Sequence, residues 1–197
     1  MRSYIIESGR LVTYKGKAAH ATIPNGVTSI GNYAFFDNKN LTSIKIPNSV
    51  ATIGYSAFNL CINLESIVIP NNVTEIFTGA FNQVKDVKPQ YNPNGTLRAY
   101  KAFFKDWTCK DFKYELGKSF HIDGEIICCE RGFHACVNPL DIFNYYYGKL
   151  SSLHFAEVEL SGTMDWDGEK IAASDIKIVR ELTASELAEI YNSMEKV

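Results

Sequence analysis

No stretch of this 197-residue sequence approaches ~18 consecutive apolar residues, so no segment reads as a membrane-crossing helix. Its first residues, MRSYIIESGRLVTYKGK, lack the continuous apolar core and small-residue cleavage site of a secretory signal. Cysteine is sparse and odd in number: Cys61, Cys109, Cys128, Cys129 and Cys136 cannot all pair. That suits reduced thiols better than a disulfide framework, and the expected location is the cytoplasm. A C-x-x-C pair is missing too, and adjacent Cys128 and Cys129, read as part of a strand, would point to opposite faces. No bound metal is therefore expected. Charge of one sign is also lacking: the net charge is −2, with 8 Lys/Arg and 5 Asp/Glu in residues 1–95 against 12 and 17 in residues 96–197. The basic residues form no phosphate-binding stripe, so neither nucleic acid nor a membrane surface is expected as a partner.

What the chain does have is a period of 23 residues. Pro24, Pro47, Pro70 and Pro93 keep that step, each followed by an asparagine: Asn25, Asn48, Asn71 and Asn94. Apolar columns run in phase: Ile23, Ile46 and Ile69; Val27, Val50 and Val73; Ile30, Ile53 and Ile76; Ala34, Ala57 and Ala80; Phe35, Phe58 and Phe81. A period of this length means stacked units that bury a shared apolar face. Alternation at Ile44/Ile46 and Ile67/Ile69 predicts a short strand, which the following proline ends because it has no N–H to donate. Ala34, Ala57 and Ala80 are small so that neighbouring coils can approach. Gly31 and Gly54 permit the same approach, and Phe77 in that column predicts a distorted coil. Residues 4–16 read as a hairpin turning at Ser8-Gly9 and capping the first coil. Val87, Pro93, Asn94 and Phe104 fall on repeat columns, so residues 87–95 are expected to form a degenerate fourth coil.

The segments IPNGVTSIGNYAF (23–35) and IPNSVATIGYSAF (46–58) resemble the core of the BspA-type leucine-rich repeat, and the resemblance covers residues 18–86. It implies a right-handed solenoid of about three to four coils, acting as a recognition scaffold for a protein partner. Strand residues turned away from the core would form the presented strip. By register these are Thr22, Lys45, Val68 and Tyr91 in one column and His20, Ser43, Ser66 and Pro89 in another. The strip is either a binding surface or an ordinary solvated sheet face.

Beyond about residue 96 the repeat stops. Strands are expected at 97–104, around 114–121, at 125–129 after the Asp123-Gly124 turn, at 155–160 and at 171–182. Asn138 is placed to cap a helix beginning at Pro139 and ending near Gly148, with Tyr145, Tyr146 and Tyr147 on it. Thr183 and Glu186 have capping-box spacing for a final helix with Leu187, Ile190, Tyr191 and Met194 as its apolar stripe. The expected fold class is therefore α+β: a solenoid in residues 1–95, capped by an α+β domain in residues 96–197. AYKAF (99–103), CKDFKYELGKSF (109–120), ERGFHACVNPLDIFNYY (130–146) and FAEVELSG (155–162) resemble an uncharacterised domain of bacterial and phage proteins. That implies a phage or prophage setting, with a host or defence protein as a natural target.

Two catalytic readings stand beside a non-enzymatic one. Cys136 lies two residues after His134, but a Cys–His pair must meet in space and be oriented by a third group. The order of parts is also similar to an ADP-ribosyltransferase-like fold, which would use NAD as cofactor. Its three key positions would then fall on Lys101, His134 and Glu169. Lys101 cannot reproduce the directional hydrogen bonds expected at the first position, and His134 is not the usual second residue. The leading expectation is a binding protein with no catalytic residues and no cofactor.

Overall fold

A computed structural model describes residues 3–197. The hairpin forms as its turn residues predict. Strands β1 (Tyr4–Glu7) and β2 (Arg10–Tyr14) are antiparallel around Ser8 and Gly9, whose φ values are 48° and 80°. Each following unit contributes two short strands. The first supplies β3 (His20–Thr22) and β4 (Ser29–Ile30), the next β5 (Ser43–Lys45) and β6 (Thr52–Ile53), and the one after β7 (Ser66–Val68) and β8 (Glu75–Ile76). They sort into two parallel ladders, β3–β5–β7 and β4–β6–β8, and β2 adds the hairpin to the second. Proline closes each turn between them, its carbonyl accepting from Val27 (3.4 Å), Val50 (3.1 Å) or Val73 (3.1 Å).

The phenylalanine column becomes an aromatic spine. Phe35 and Phe58 stack at 4.9 Å, and Phe58 and Phe81 at 5.5 Å. Tyr14 extends the spine into the hairpin at 4.9 Å from Phe35. At the other end Phe81 meets Phe143 at 5.7 Å, and Phe143 meets Phe155 at 5.5 Å. The alanine column is fully buried, as close coil approach requires. Phe77 causes no distortion. Its N–H donates to Ile53 O at 2.9 Å, as that of Gly54 donates to Ile30 O, and its ring turns outward to 38% exposure.

The fourth coil does not form. Val87 makes an antiparallel bridge with Lys196, and β9 (Gln90–Tyr91) pairs antiparallel with β10 (Leu97–Phe104). Pro93 and Asn94 lie in the turn of that hairpin, where Asn92 N–H donates to Thr96 O at 2.8 Å. A small hairpin follows, β11 (Thr108–Cys109) with β12 (Phe112–Lys113), then β13 (Ser119–His121). The expected strand at 125–129 is instead a bend closed by a lone Ile127–Arg131 bridge, before β14 (Phe133–Cys136). Asn138 caps as expected, but the helix is short: a 3₁₀ turn at Pro139–Asp141 and α1 (Ile142–Tyr145). Tyr146 is extended, and the chain enters β15 (Gly148–Lys149). Two long strands, β16 (Leu153–Asp167) and β17 (Lys170–Leu182), then form a hairpin. With β14 and β10 they close a ring, β16–β10–β14–β17, so β10 is buried on both faces. The final helix α2 (Ala184–Ser193) carries its capping box, with Leu187 and Tyr191 wholly buried.

The C-terminal half seals the edge of each ladder at the last repeat, β8 and β7. Strand β15 pairs antiparallel with β8. On the other ladder no strand is added; the side-chain amide of Asn192 stands in for one. Its Nδ2 donates to Ile67 O at 2.8 Å and its Oδ1 accepts from Ile67 N at 2.8 Å. Unpaired strand edges invite association with other chains, and here the edges of β7 and β8 are closed within the molecule, while β3 and β1 remain the outer strands of their sheets. One continuous hydrophobic cluster accordingly spans the repeats and the C-terminal half.

Candidate functional sites

The repeat strands set two columns of side chains on one sheet face. Thr22, Lys45 and Val68 align in register, as do His20, Ser43 and Ser66. His20 Nδ1 and Ser43 Oγ are 2.8 Å apart, which ties part of the second column into the sheet. Val68 is 46% exposed. Tyr91, read from the sequence as the fourth member of the first column, is on β9 in the other sheet, opposite Leu97, and Pro89 precedes that strand.

A second exposed feature lies on the return arc of the repeats. Tyr33 sits edge-on to Tyr55 at 5.3 Å and to Phe36 at 5.6 Å, and all three are at least 40% exposed. Tyr33 has φ 58°, a left-handed conformation shared by the residues 23 and 46 places on, Ser56 (50°) and Gly79 (65°). A bulky residue there is strained, and such strain gathers at functional positions. Periodic columns hide this cluster, because its members are where the units differ. The signal that could have found it is aromatic side chains at positions the other units fill with Ser, Gly, Asn or Thr.

The third feature is a cavity of about 710 Å³ in the C-terminal half, lined from β10, β14 and the segment at Tyr145 and Tyr146. Lys101, from the ring strand β10, is only 5% exposed. Its ammonium donates to His134 O at 2.8 Å and to Cys109 Sγ at 3.4 Å, and lies 5.4 Å from the centre of the Tyr114 ring. Burial lowers its pKa, with Cys109 acting in the opposite sense. His134 Nε2 accepts from Cys129 N at 2.8 Å. Burial, followed by the charges of Lys101, Lys110 and Lys170, pushes the His134 pKa down to about 4. Cys109 Sγ is 2.7 Å from the Tyr146 hydroxyl, and Lys170 lies 4.2 Å over the Tyr145 ring.

Of the three residues aligned with the NAD-using enzymes, two line this cavity. Glu169 lies outside it, accepting from Asn144 Nδ2 at 3.0 Å and Tyr145 OH at 3.4 Å and facing a second cavity that includes Asp141. Cys136 is buried and its thiol is pushed well up by desolvation, which opposes the thiolate a nucleophile needs. Among the described residues, no three His, Cys, Asp or Glu side chains converge in a way that could hold a metal ion.

Residues 12–121 match the family described as BspA type Leucine rich repeat region, in 6 copies. That span runs past the parallel ladders into β13. Residues 97–190 match a Domain of unknown function (DUF7666). No curated protein matches the chain. Among solved structures, a leucine rich repeat protein of T. pallidum is 28% identical over 41% of this chain, with a TM-score of 0.38. The chain spans 42% of that protein's length. A leucine rich cell surface protein from Faecalibacterium prausnitzii A2-165 is 29% identical over 43% of this chain and 27% of its own, with a TM-score of 0.36. A leucine-rich repeat protein from Bacteroides capillosus ATCC 29799 is 26% identical over 43% of this chain and 80% of its own, also with a TM-score of 0.36.

Proposed function

Because the chain belongs to the BspA-type leucine-rich repeat family, we propose that it is a non-enzymatic recognition protein whose repeats bind another protein. The observation that carries this is the exposed cluster of Tyr33, Phe36 and Tyr55. Tyrosine offers large contact area at small entropic cost and is enriched among the residues that dominate binding energy. The strip of Thr22, Lys45 and Val68, with His20, Ser43 and Ser66 beside it, supplies a second and more polar contact. Five unpaired cysteines support a reducing, intracellular setting. Similarity of the C-terminal half to a module of bacterial and phage proteins supports a host or defence protein as the partner. Affinity capture from bacterial lysate tests the proposal. A partner retained by the parent should be lost with Tyr33→Ala/Tyr55→Ala, and reduced by Val68→Glu. Capture unaffected by all of these changes would reject the repeat surface as the binding face.

A second reading, an NAD-using ADP-ribosyltransferase-like enzyme, draws support from Lys101 and His134 lining one cavity. The carboxylate that would polarise the nicotinamide ribose counts against it, since Glu169 is bonded to Tyr145 OH and lines a different cavity from Lys101 and His134. Polarising groups tolerate little displacement. NAD consumption that disappears in Glu169→Gln would reverse the order of the two readings.

A further inference from the structure

Four basic side chains line the C-terminal cavity: Lys101, Lys110, Arg131 and Lys170. None of them makes an ion pair among the described residues. Lys101 is the sharpest case, because a buried charge is normally paired or neutralised. Its acceptors are one carbonyl and one thiol, with the Phe103 and Tyr114 rings 5.6 and 5.4 Å away, so no carboxylate neutralises it. Lys101, Lys110 and Lys170 each lower the His134 pKa, so three of the cations are grouped near this one residue of the lining. Two carboxylates, Asp111 and Glu130, also line it, leaving an excess of cations. Much of the remaining wall is aromatic, from Phe112, Tyr114, Phe133, Tyr145 and Tyr146. The volume lies within the ~300–1,000 Å³ typical of small-molecule sites.

We propose that this cavity binds a nucleoside phosphate. The planar base lies against the aromatic wall, and the phosphates are held by Lys101, Lys110, Arg131 and Lys170. Several uncompensated cations call for a polyanion rather than a single carboxylate, and a ring-lined wall calls for a planar face. Asp111 and Glu130 accept from sugar hydroxyls or an amino group of the base. The site is independent of the repeat surface and requires no turnover of the ligand.

The test uses the full chain with three probes: ADP, adenosine and inorganic pyrophosphate, titrated calorimetrically at low and high salt. Alkylation of Cys109 and Cys129, which line the cavity, serves as a footprint. ADP should bind, should weaken as salt rises, and should slow iodoacetamide modification of both cysteines. Adenosine and pyrophosphate should each bind at least about tenfold more weakly, the loss expected for one charge-assisted contact or for one stacked ring. Lys170→Gln and Lys110→Gln, at positions that are not buried, should each weaken ADP by about tenfold, whether or not Lys101→Met folds. Adenosine binding as tightly as ADP would overturn the phosphate contacts, and equal binding of pyrophosphate would overturn the ring contact. Absence of ADP binding, or binding that leaves both thiols unprotected, would overturn the site itself. NAD hydrolysis measured separately distinguishes this binding from the enzymatic reading.

Discussion

The repeats and the C-terminal half bury different chemistry. Among the described residues of the repeats, the polar side chain in the interior is Ser56; in the C-terminal half Lys101, Asn138, Asp141, Glu157 and Ser174 are all buried. In the repeats the same apolar contact recurs every 23 residues, which builds a scaffold with no buried charge among the described residues, although Asn59 Oδ1 and Thr78 Oγ1 are buried there without a partner. The closed strand ring instead places Lys101 on a strand buried on both faces, largely withdrawn from solvent and reached only from the cavity it lines. Recognition through exposed side chains suits the first half, and enclosure of a small ligand suits the second. Yet the two are not separable bodies, because the aromatic spine and the sealed ladder edges run across the junction.

The largest test of that junction is Phe81→Ala, which removes the ring between Phe58 and Phe143. It should cost about 3–5 kcal/mol. Both tryptophans, Trp107 and Trp166, are in the C-terminal half, so their fluorescence during urea unfolding should report this change in the repeats. An unchanged tryptophan midpoint would mean that the halves unfold independently. Asn192→Ala should come next, at about 2–3 kcal/mol, since it leaves both the N–H and the C=O of Ile67 without partners. Urea midpoints compared with Asn192→Asp separate the two bonds, because the aspartate keeps only the acceptor.

Titration should distinguish the halves further. His134 ionises near 6.5 in the unfolded chain and near 4 in the fold. The unfolded state therefore binds more protons between these values. The stabilisation is complete above pH 6.5 and is lost as pH falls toward 4. His134→Gln should flatten that part of the stability profile. Asp141 has the opposite sign: burial, then Glu169 and Asp86, hold its pKa well above 3.8. Its contribution is complete below pH 3.8 and is lost as pH rises through the raised folded value. Asp141→Asn should gain stability relative to the parent as pH increases, read from urea midpoints across that range. The smallest effect on folding is expected for Tyr33→Gly. Relief of the left-handed strain offsets the lost ring contacts, so stability should change by less than about 1 kcal/mol while partner capture is lost.

Much of the repeat half was legible because its information is local and redundant. In each repeat a proline, Pro24, Pro47 or Pro70, follows the strand and ends it, and an apolar column repeated every 23 residues points to one buried face. The hairpin at Ser8-Gly9 and the capping box of Thr183 and Glu186 are similarly short-range. The same redundancy misled at residues 87–95, where Pro93, Asn94 and Val87 keep the repeat spacing. Antiparallel partners, β10 and the C-terminal residues, outcompete another coil there.

The C-terminal half was less legible, since its strands take both faces and their length from distant partners. Residues 125–129 follow an Asp-Gly turn signal and read as a strand, yet they bend because β17 is already paired with β13 and β14 on that side. The helix expected to reach Gly148 stops at Tyr145 because the next residues seal the edge of β8. The sequence by itself determined the repeat, its caps and its buried columns, since these follow from steric and hydrogen-bonding properties that each segment carries with it. Tertiary structure alone decided that Asn192 would replace a strand, that Lys101 would be buried without a counter-ion, and that Glu169 would line a different cavity from His134. Each depends on where a closed ring of strands brings together residues far apart in the chain.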